Sequence, residues 1–386
     1  MKNSTNGLAA FWGRTISLSR LLIFSNDRGF TMRAKSISVL RVIREKFLRQ
    51  VLHGAPVLGL AVIIGLMTSV DARACASCGC TLSQDWENLQ FAYTPGIRVD
   101  LRWDFLNQDQ LRTGTGTITP VAASKVLNNG MPAEVEQYTI NNYFTLGIDY
   151  STTPDWGVNI QIPFIDRVHS TLGTESNGIV GGPGGGQYSS HTDSLGDIKI
   201  LGRYQGFFPG CDNLGALFGI KLPTGNYTSQ GSSTDPTAPG PVPIDRGLQP
   251  GTGTTDVIAG AYYTNVLKNY NWGYFAQVLG QAPLYSTDQY RPGDSISLNV
   301  GLRYLGFSGF SPQFQINYRA AERDSGANAD IYNTGGVLLY LSPGVNVSVS
   351  NRFSVYGFFQ LPIYQNLNGI QLAPYYTTSI GVRYVF

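Results

Sequence analysis

From residue 96 to residue 386 the sequence alternates. Twelve stretches carry apolar or aromatic side chains at every second position and small or polar ones between: 96–107, 137–150, 156–165, 195–206, 214–224, 255–266, 272–284, 294–305, 312–321, 336–348, 353–364 and 375–386. A period of two is the signature of β-strands whose two faces meet different surroundings. The last stretch shows it most plainly. Tyr376, Thr378, Ile380, Val382, Tyr384 and Phe386 form one face, and Thr377, Ser379, Gly381, Arg383 and Val385 the other. A strand that ends a chain in mid-pattern needs a partner, and closing the sheet on itself supplies one by pairing first with last. The expected fold is all-β: a transmembrane antiparallel β-barrel of about twelve strands over residues 96–386. An even number returns both barrel ends to one side.

The N-terminal region sets the compartment. Residues 55–70 are uncharged and mostly apolar, basic Arg41, Arg44, Lys46 and Arg49 precede them, and Ala72-Arg73-Ala74 has the form of a cleavage site. This reads as a secretory signal over 1–74 with a long basic n-region, and Met32 is an alternative start that keeps a basic n-region. The apolar run is short for a spanning helix, which needs about 20 residues. Residues 1–74 hold 11 of the 27 Lys and Arg and 3 of the 25 Asp and Glu, so the remainder carries a net charge of −6. A nucleic-acid partner is not expected. With 22 tyrosines, 46 glycines and 13% charged residues, a strand-rich exported chain points to the cell outer membrane and to its lipid as a partner.

Two repeats accompany the alternation. Even-numbered stretches end Gly147–Tyr150, Gly260–Tyr263, Gly301–Tyr304 and Gly381–Tyr384, with Leu201–Tyr204 as a variant. Their tyrosines fall on the apolar face at one level, as an interfacial girdle requires. Odd-numbered stretches carry Pro163, Pro223, Pro283 and Pro362 near their ends, where pairing loosens. The connections 151–155, 207–213, 267–271, 306–311 and 349–352 are short, whereas 108–136, 166–194 and 225–254 are long. Short turns face the periplasm in such barrels and long loops face outward. Gly181–Gln187 and Ser229–Pro250 read as flexible loop without a core of their own.

Ser194–Tyr204, Gly219–Gly225, Gln249–Val257 and Phe358–Leu372 also carry motifs that resemble those of a family of outer-membrane transporters first described beside phenol meta-cleavage pathways. The resemblance covers roughly residues 190–386. It implies a barrel and a small-molecule solute. The ending Ser379, Gly381, Tyr384 and Phe386 is similar to the C-terminal signal read by the barrel-assembly machinery, which that likeness makes a partner.

Alternation turns Arg98, Asp100, Arg102 and Asp104 into the lumen, with Asp149, Asp197, Lys199, Arg203, Lys221, Arg303, Arg319 and Arg383 from other strands. Strand direction puts Arg98, Arg203, Arg303 and Arg383 at the periplasmic end. Two readings stand: a polar constriction that guides solutes, and a salt-bridged plug that stabilises the lumen. Twelve strands lie between the filled eight-stranded barrel and the open sixteen-stranded one, so a narrow or gated pore is expected.

Cys75, Cys78 and Cys80 lie in a separate segment, 75–95, expected in the periplasm, and the remaining cysteine, Cys211, falls in a predicted periplasmic turn. Disulfides, a soft-metal thiolate site and lipidation of Cys75 are all open, and a bridge from Cys211 to one of the other three fits their shared oxidising side. No other cofactor is expected. The only histidines beyond residue 74 are His169 and His191, and neither supports a catalytic pair. The expected function is a channel or facilitator for small, aromatic or hydrophobic solutes. The competing readings are a barrel-anchored module using the C-x-x-C-x-C segment to bind metal or a partner, and a structural or adhesive barrel.

Overall fold

The computed structural model describes residues 95–386 apart from 176–177, 183, 208–213 and 268–270. The expected signal segment 1–74 and all four cysteines, Cys75, Cys78, Cys80 and Cys211, lie outside the described residues. In chain order the strands are β1 (Gly96–Gly114), β2 (Gly116–Thr117), β3 (Leu127–Asn128), β4 (Met131–Pro132), β5 (Val135–Ser151), β6 (Trp156–Leu172), β7 (Gln187–Leu195), β8 (Ile198–Tyr204), β9 (Leu214–Leu222), β10 (Gln230–Ser233), β11 (Gly240–Pro243), β12 (Asp256–Leu267), β13 (Trp272–Pro283), β14 (Ser295–Tyr304), β15 (Phe310–Ala321), β16 (Gly336–Ser348) and β17 (Phe353–Val385). A short helix, α1 (Pro120–Ala123), is capped by the Thr119 side chain.

The ring runs β6-β5-β1-β17-β16-β15-β14-β13-β12-β9-β8 and closes where β8 pairs with β6. Every pairing in it is antiparallel. Strand direction alternates around such a ring, so the number of staves must be even, yet the ring has eleven elements. The 33-residue β17 resolves the parity. It reverses at Gly369, where φ is +55°, a conformation that glycine adopts without penalty. Residues up to Leu367 register with β16, and those from Leu367 to Val385 register with β1. Counting its two limbs gives twelve staves.

The outward face is apolar. Leu101, Val158, Phe218, Ile220, Val257, Leu302, Phe314, Leu361 and Ile380 are exposed along it, in the pattern of a lipid-facing band. Aromatic pairs ring the short-turn end: Trp156 with Tyr204 at 4.5 Å, Trp272 with Tyr304 at 5.1 Å and Tyr384 with Phe386 at 4.8 Å between ring centroids. About ten residues of each stave, counted from this girdle, cross the hydrocarbon. The protein is an outer-membrane β-barrel.

The staves also continue beyond that depth at the long-loop end. β6, expected to end at residue 165, runs to Leu172 and pairs with β7 there. β7 and β8 form one stave with a break. β6 pairs with β8 as far as Gln161↔Lys199 and with β7 from Phe164↔Leu195. Pro163, which has no N–H to donate, lies between these registers, and its carbonyl accepts from Gly196 at 2.8 Å. Above the wall, Leu111, Ala123, Ala133, Val135, Ile370 and Leu372 form a small apolar cap under α1.

The stretch Ser229–Pro250 corrects the expectation of a coreless flexible loop. It forms β10 and β11, and β10 extends the sheet from β7. Its end folds inward with Ile244 and Leu248 buried. The Gln249 amide ties this stretch together, donating to Ser229 and Ile244 carbonyls at 3.0 Å each. Such long-range satisfaction of backbone groups leaves no trace in local periodicity.

Candidate functional site

The inward positions of the wall carry the polar residues of the alternation. At the short-turn end they pack to exclusion of water. Arg98 and Arg383 are each 2% exposed, and Arg203 and Arg303 are buried beside them. Arg98 donates to Asp149 at 2.7 Å and to Ser151 at 3.2 Å. Arg203 donates to both oxygens of the same Asp149 carboxylate and to Ser151. Arg383 donates to Asp100 at 3.0 Å, and Tyr356 donates to the other Asp100 oxygen at 2.8 Å. One level higher, Arg102 donates to Asp104 at 2.8 Å, and Ser379 donates to Asp104 as well. The expected cluster of Arg98, Arg203, Arg303 and Arg383 is thus assembled at one end, and Arg98, Arg203 and Arg383 each pair with a carboxylate.

Above this floor an amide network crosses the strands. Asn299 donates to Gln277 at 3.1 Å, Asn317 to Asn299 at 2.8 Å and Ser342 to Asn317 at 2.6 Å. Large aromatics fill the space beside it, and sequence reasoning missed how they fit. Tyr262, Phe275, Tyr356 and Phe358 are buried in the lumen. Each lies over an inward glycine of a neighbouring strand. A Cβ at Gly301 would sit 2.2 Å from the Phe275 ring, and one at Gly381 would sit 2.3 Å from the Tyr356 ring. The G-x-x-Y repeat therefore does two jobs: its tyrosine faces the membrane boundary, and at Gly301 and Gly381 its glycine makes room for a lumen aromatic.

Of the residues that resemble the assembly signal, Ser379 and Gly381 face inward with the contacts just described, while Tyr384 and Phe386 belong to the girdle.

The upper lumen holds the inserted loop. Its socket is built from three sequence segments that lie far apart in the chain. Lys221 sits between Asp197 and Asp256, 3.1 Å from each. Asp197 accepts from the backbone of Gly225 at 3.0 Å and from both the backbone and hydroxyl of Thr252, at 3.0 and 2.9 Å. Thr224 donates to Gly196 at 2.9 Å and accepts from the Ile198 backbone at 2.9 Å. Gly225 and Gly251 touch backbone to backbone, since a Cβ at Gly251 would meet the Gly225 carbonyl oxygen at 2.3 Å. Ser194–Tyr204, Gly219–Gly225 and Gln249–Val257, three of the motif segments, converge here.

Arg246 forms the tip of the insertion. Its guanidinium lies between the rings of Tyr227 and Tyr290, 4.8 Å from each centroid. It donates to the Tyr227 carbonyl at 3.2 Å and the Thr252 carbonyl at 2.9 Å. With Gly247 it separates two spaces. Below lies a chamber of about 300 Å³, and above lies a smaller one of about 70 Å³; Arg246, Gly247 and Asp324 line both. The chamber is lined by apolar Pro163, Ile165, Pro250 and Pro292, by two phenols, Tyr143 and Tyr290, by cations that include Arg167, Lys199 and Arg319, and by the carboxylates Asp104, Asp197, Asp256, Glu322 and Asp324. Its size falls at the low end of small-molecule pockets.

The smaller space is acidic. Asp245, Glu136 and Asp330 line it. Burial, then repulsion from Asp245, pushes Glu136 up to about 8. Glu134 is also pushed up to about 8, chiefly by Asp245 and then by burial. Asp245 rises to about 6 through burial and then Asp330. Water still reaches Glu134 and Asp245, but the surrounding loops enclose them. No sequence signal pointed to this group, because its members come from separate loops.

No protein-family model matches this sequence, and no curated protein sequence matches it. Solved structures do resemble it. An outer-membrane channel from Pseudomonas putida F1 is 12% identical, with 76% of this chain and 96% of that chain covered and a TM-score of 0.51. A FadL homologue from Pseudomonas aeruginosa is 11% identical over 82% of this chain and 98% of its own, with a TM-score of 0.40. The Pseudomonas putida toluene transporter TodX is 12% identical over 81% and 96%, with a TM-score of 0.40. The first likeness places the fold of this chain among outer-membrane barrels.

Proposed function

We propose that the protein is an outer-membrane channel that passes small, amphipathic or aromatic solutes through a narrow, gated lumen. The observation that carries this reading is the chamber of about 300 Å³ inside the barrel, lined by both apolar and charged side chains. A barrel with a purely structural role has no need of such a space; close packing of the whole lumen would stabilise it more. The similar fold of an outer-membrane channel adds support. The inserted loop forms the upper restriction, and the Arg98–Asp149–Arg203 and Arg383–Asp100 pairs form the lower one. Passage then requires the lower pairs to exchange partners, which keeps the resting conductance small. The competing module at Cys75, Cys78 and Cys80 rests on residues outside the described structure and has no observation in its favour.

Planar-bilayer recording tests the channel reading. Purified protein is expected to give rare, small openings, and Arg203→Ser with Arg98→Ser is expected to raise open probability and shift selectivity toward cations. A folded double variant as silent as the wild type would contradict it.

A further inference from the structure

Several cations of the lumen have a carboxylate partner, but among the described residues Arg167, beside the chamber, has none. Arg167, on β6, is 4% exposed. Its Nε donates to the Asn141 side-chain oxygen at 2.6 Å, and its Nη2 donates to the Tyr143 hydroxyl at 2.7 Å. Its Nη1 is covered and has no hydrogen-bond partner. All of these partners are neutral. Among the described residues no carboxylate lies within ion-pair distance of Arg167, whereas Arg98, Arg102, Arg203, Arg383 and Lys221 each have one. A guanidinium does not shed its proton, and a buried charge without a counter-charge is costly. His169, two residues along the same face, offers no negative charge. Burial and then Arg167 lower it to about 4, and it sits neutral between Thr139 and Thr171.

A second cation faces the same chamber from the far wall. Arg319 lies on β15, six staves from β6 in either direction around the twelve-stave ring. Its one hydrogen bond is long, 3.5 Å to Ser297, and its Nε is covered without a partner. Among the described residues it too has no carboxylate partner. Arg167, Arg319 and the apolar surface of Pro163, Ile165 and Tyr290 therefore enclose one space. The carboxylates that also line it, apart from Glu322, are held by Arg102, Lys221 or Tyr290. Arg167 and Arg319, with the apolar surface beside Arg167, fit a molecule with a negative head and a greasy body.

We propose that the chamber takes small organic monoanions, with the carboxylate held by Arg167, Arg319 flanking it from the opposite wall, and the apolar body against Pro163, Ile165 and Tyr290. Passage of that anion through the barrel rests on the channel reading above; the binding site does not.

Benzoate and benzamide test it, because they share shape and differ in charge. Calorimetry on the detergent-purified protein should show benzoate binding at least tenfold more tightly than benzamide. Arg167→Met should abolish that preference and Arg167→Lys should keep part of it. Because the partners of Arg167 are neutral, its loss strands no carboxylate; if Arg167→Met still fails to fold, Arg319→Gln, at a half-buried position, carries the same expectation. Equal affinities in the wild type, no detectable benzoate binding, or a preference unchanged in both neutral variants would overturn the anion site. Flux into vesicles separates the two readings. Benzoate binding without flux above protein-free vesicles retains the site and removes the channel. Equal flux of both probes without a binding preference retains the channel and removes the site.

Discussion

Arg203 reaches across β6 to grip Asp149 on β5, donating to both oxygens of its carboxylate. It passes over Gly157, where an added Cβ would lie 2.4 Å from the guanidinium carbon. The same carboxylate accepts from Arg98. One acidic side chain thus joins three staves, and it faces two cations.

Removing that acid should harm the barrel more than removing either base. Asp149→Asn leaves two buried guanidinium groups without their anion, a loss of about 3–5 kcal/mol for a broken buried pair. Arg203→Met leaves Asp149 still paired with Arg98 and should cost less. Urea unfolding in lipid vesicles gives the order, and an Asp149→Asn variant no weaker than Arg203→Met would contradict the arrangement.

Gly157→Ala should destabilise through Arg203 alone. The added methyl displaces the guanidinium, so the substitution should lower the unfolding midpoint in the wild type and have little effect when Arg203 is already Met. A double-mutant cycle measures this coupling. Additive effects would place the role of Gly157 elsewhere.

Lys221→Met should free the inserted loop. It leaves Asp197 and Asp256 facing one another without the ammonium that now lies 3.1 Å from each. Trypsin is expected to cut after Arg246 in this variant and to spare that bond in the wild type. Equal resistance in both would show that the loop is held by Thr252 and Arg246 contacts alone.

Acid should tighten the same loop. Glu134 and Glu136 titrate near 8 and Asp245 near 6 in the folded protein, all above their ordinary values near 4. A raised carboxylate pKa means that the folded state binds more protons than the unfolded one. The insertion is therefore most stable below the ordinary carboxylate range and loses stability as pH rises through about 6 to 8. Hydrogen exchange of residues 245–252, corrected for its intrinsic pH dependence, should show more protection at pH 5.5 than at pH 8.5. The reverse order would contradict the clustering.

The wall was legible in the sequence because membrane strands see lipid on one face and a polar lumen on the other. The expected span 336–348 coincides with β16 (Gly336–Ser348), and the inward set Arg98, Asp149, Arg203 and Arg383 meets at one end as direction and closure require. Legibility failed where that asymmetry ends. β1 continues past its expected end at 107 to Gly114, through register shifts at Gln108 and Gln110, and a bulge resets the alternation that reveals a strand. The two limbs of β17 were expected as separate strands, 353–364 and 375–386, because the residues between them lie above the lipid. The loop socket was seen as motifs but not as a site. Lys221, Asp197 and Thr252 meet only after closure, and nothing in local spacing encodes a contact between them. Arg167 sat in a stretch read as loop, so its burial opposite Arg319 had no sequence counterpart.

Solute flux through the partition tests the channel account most directly. Gly247 lines both the chamber and the space above it, so a tryptophan there should block the way between them while leaving the wall intact. Vesicles carrying the wild type should take up a labelled small aromatic solute well above protein-free vesicles, and Gly247→Trp should reduce that excess at least tenfold. Wild-type uptake no faster than in protein-free vesicles, over a panel of neutral and anionic probes, would contradict the account.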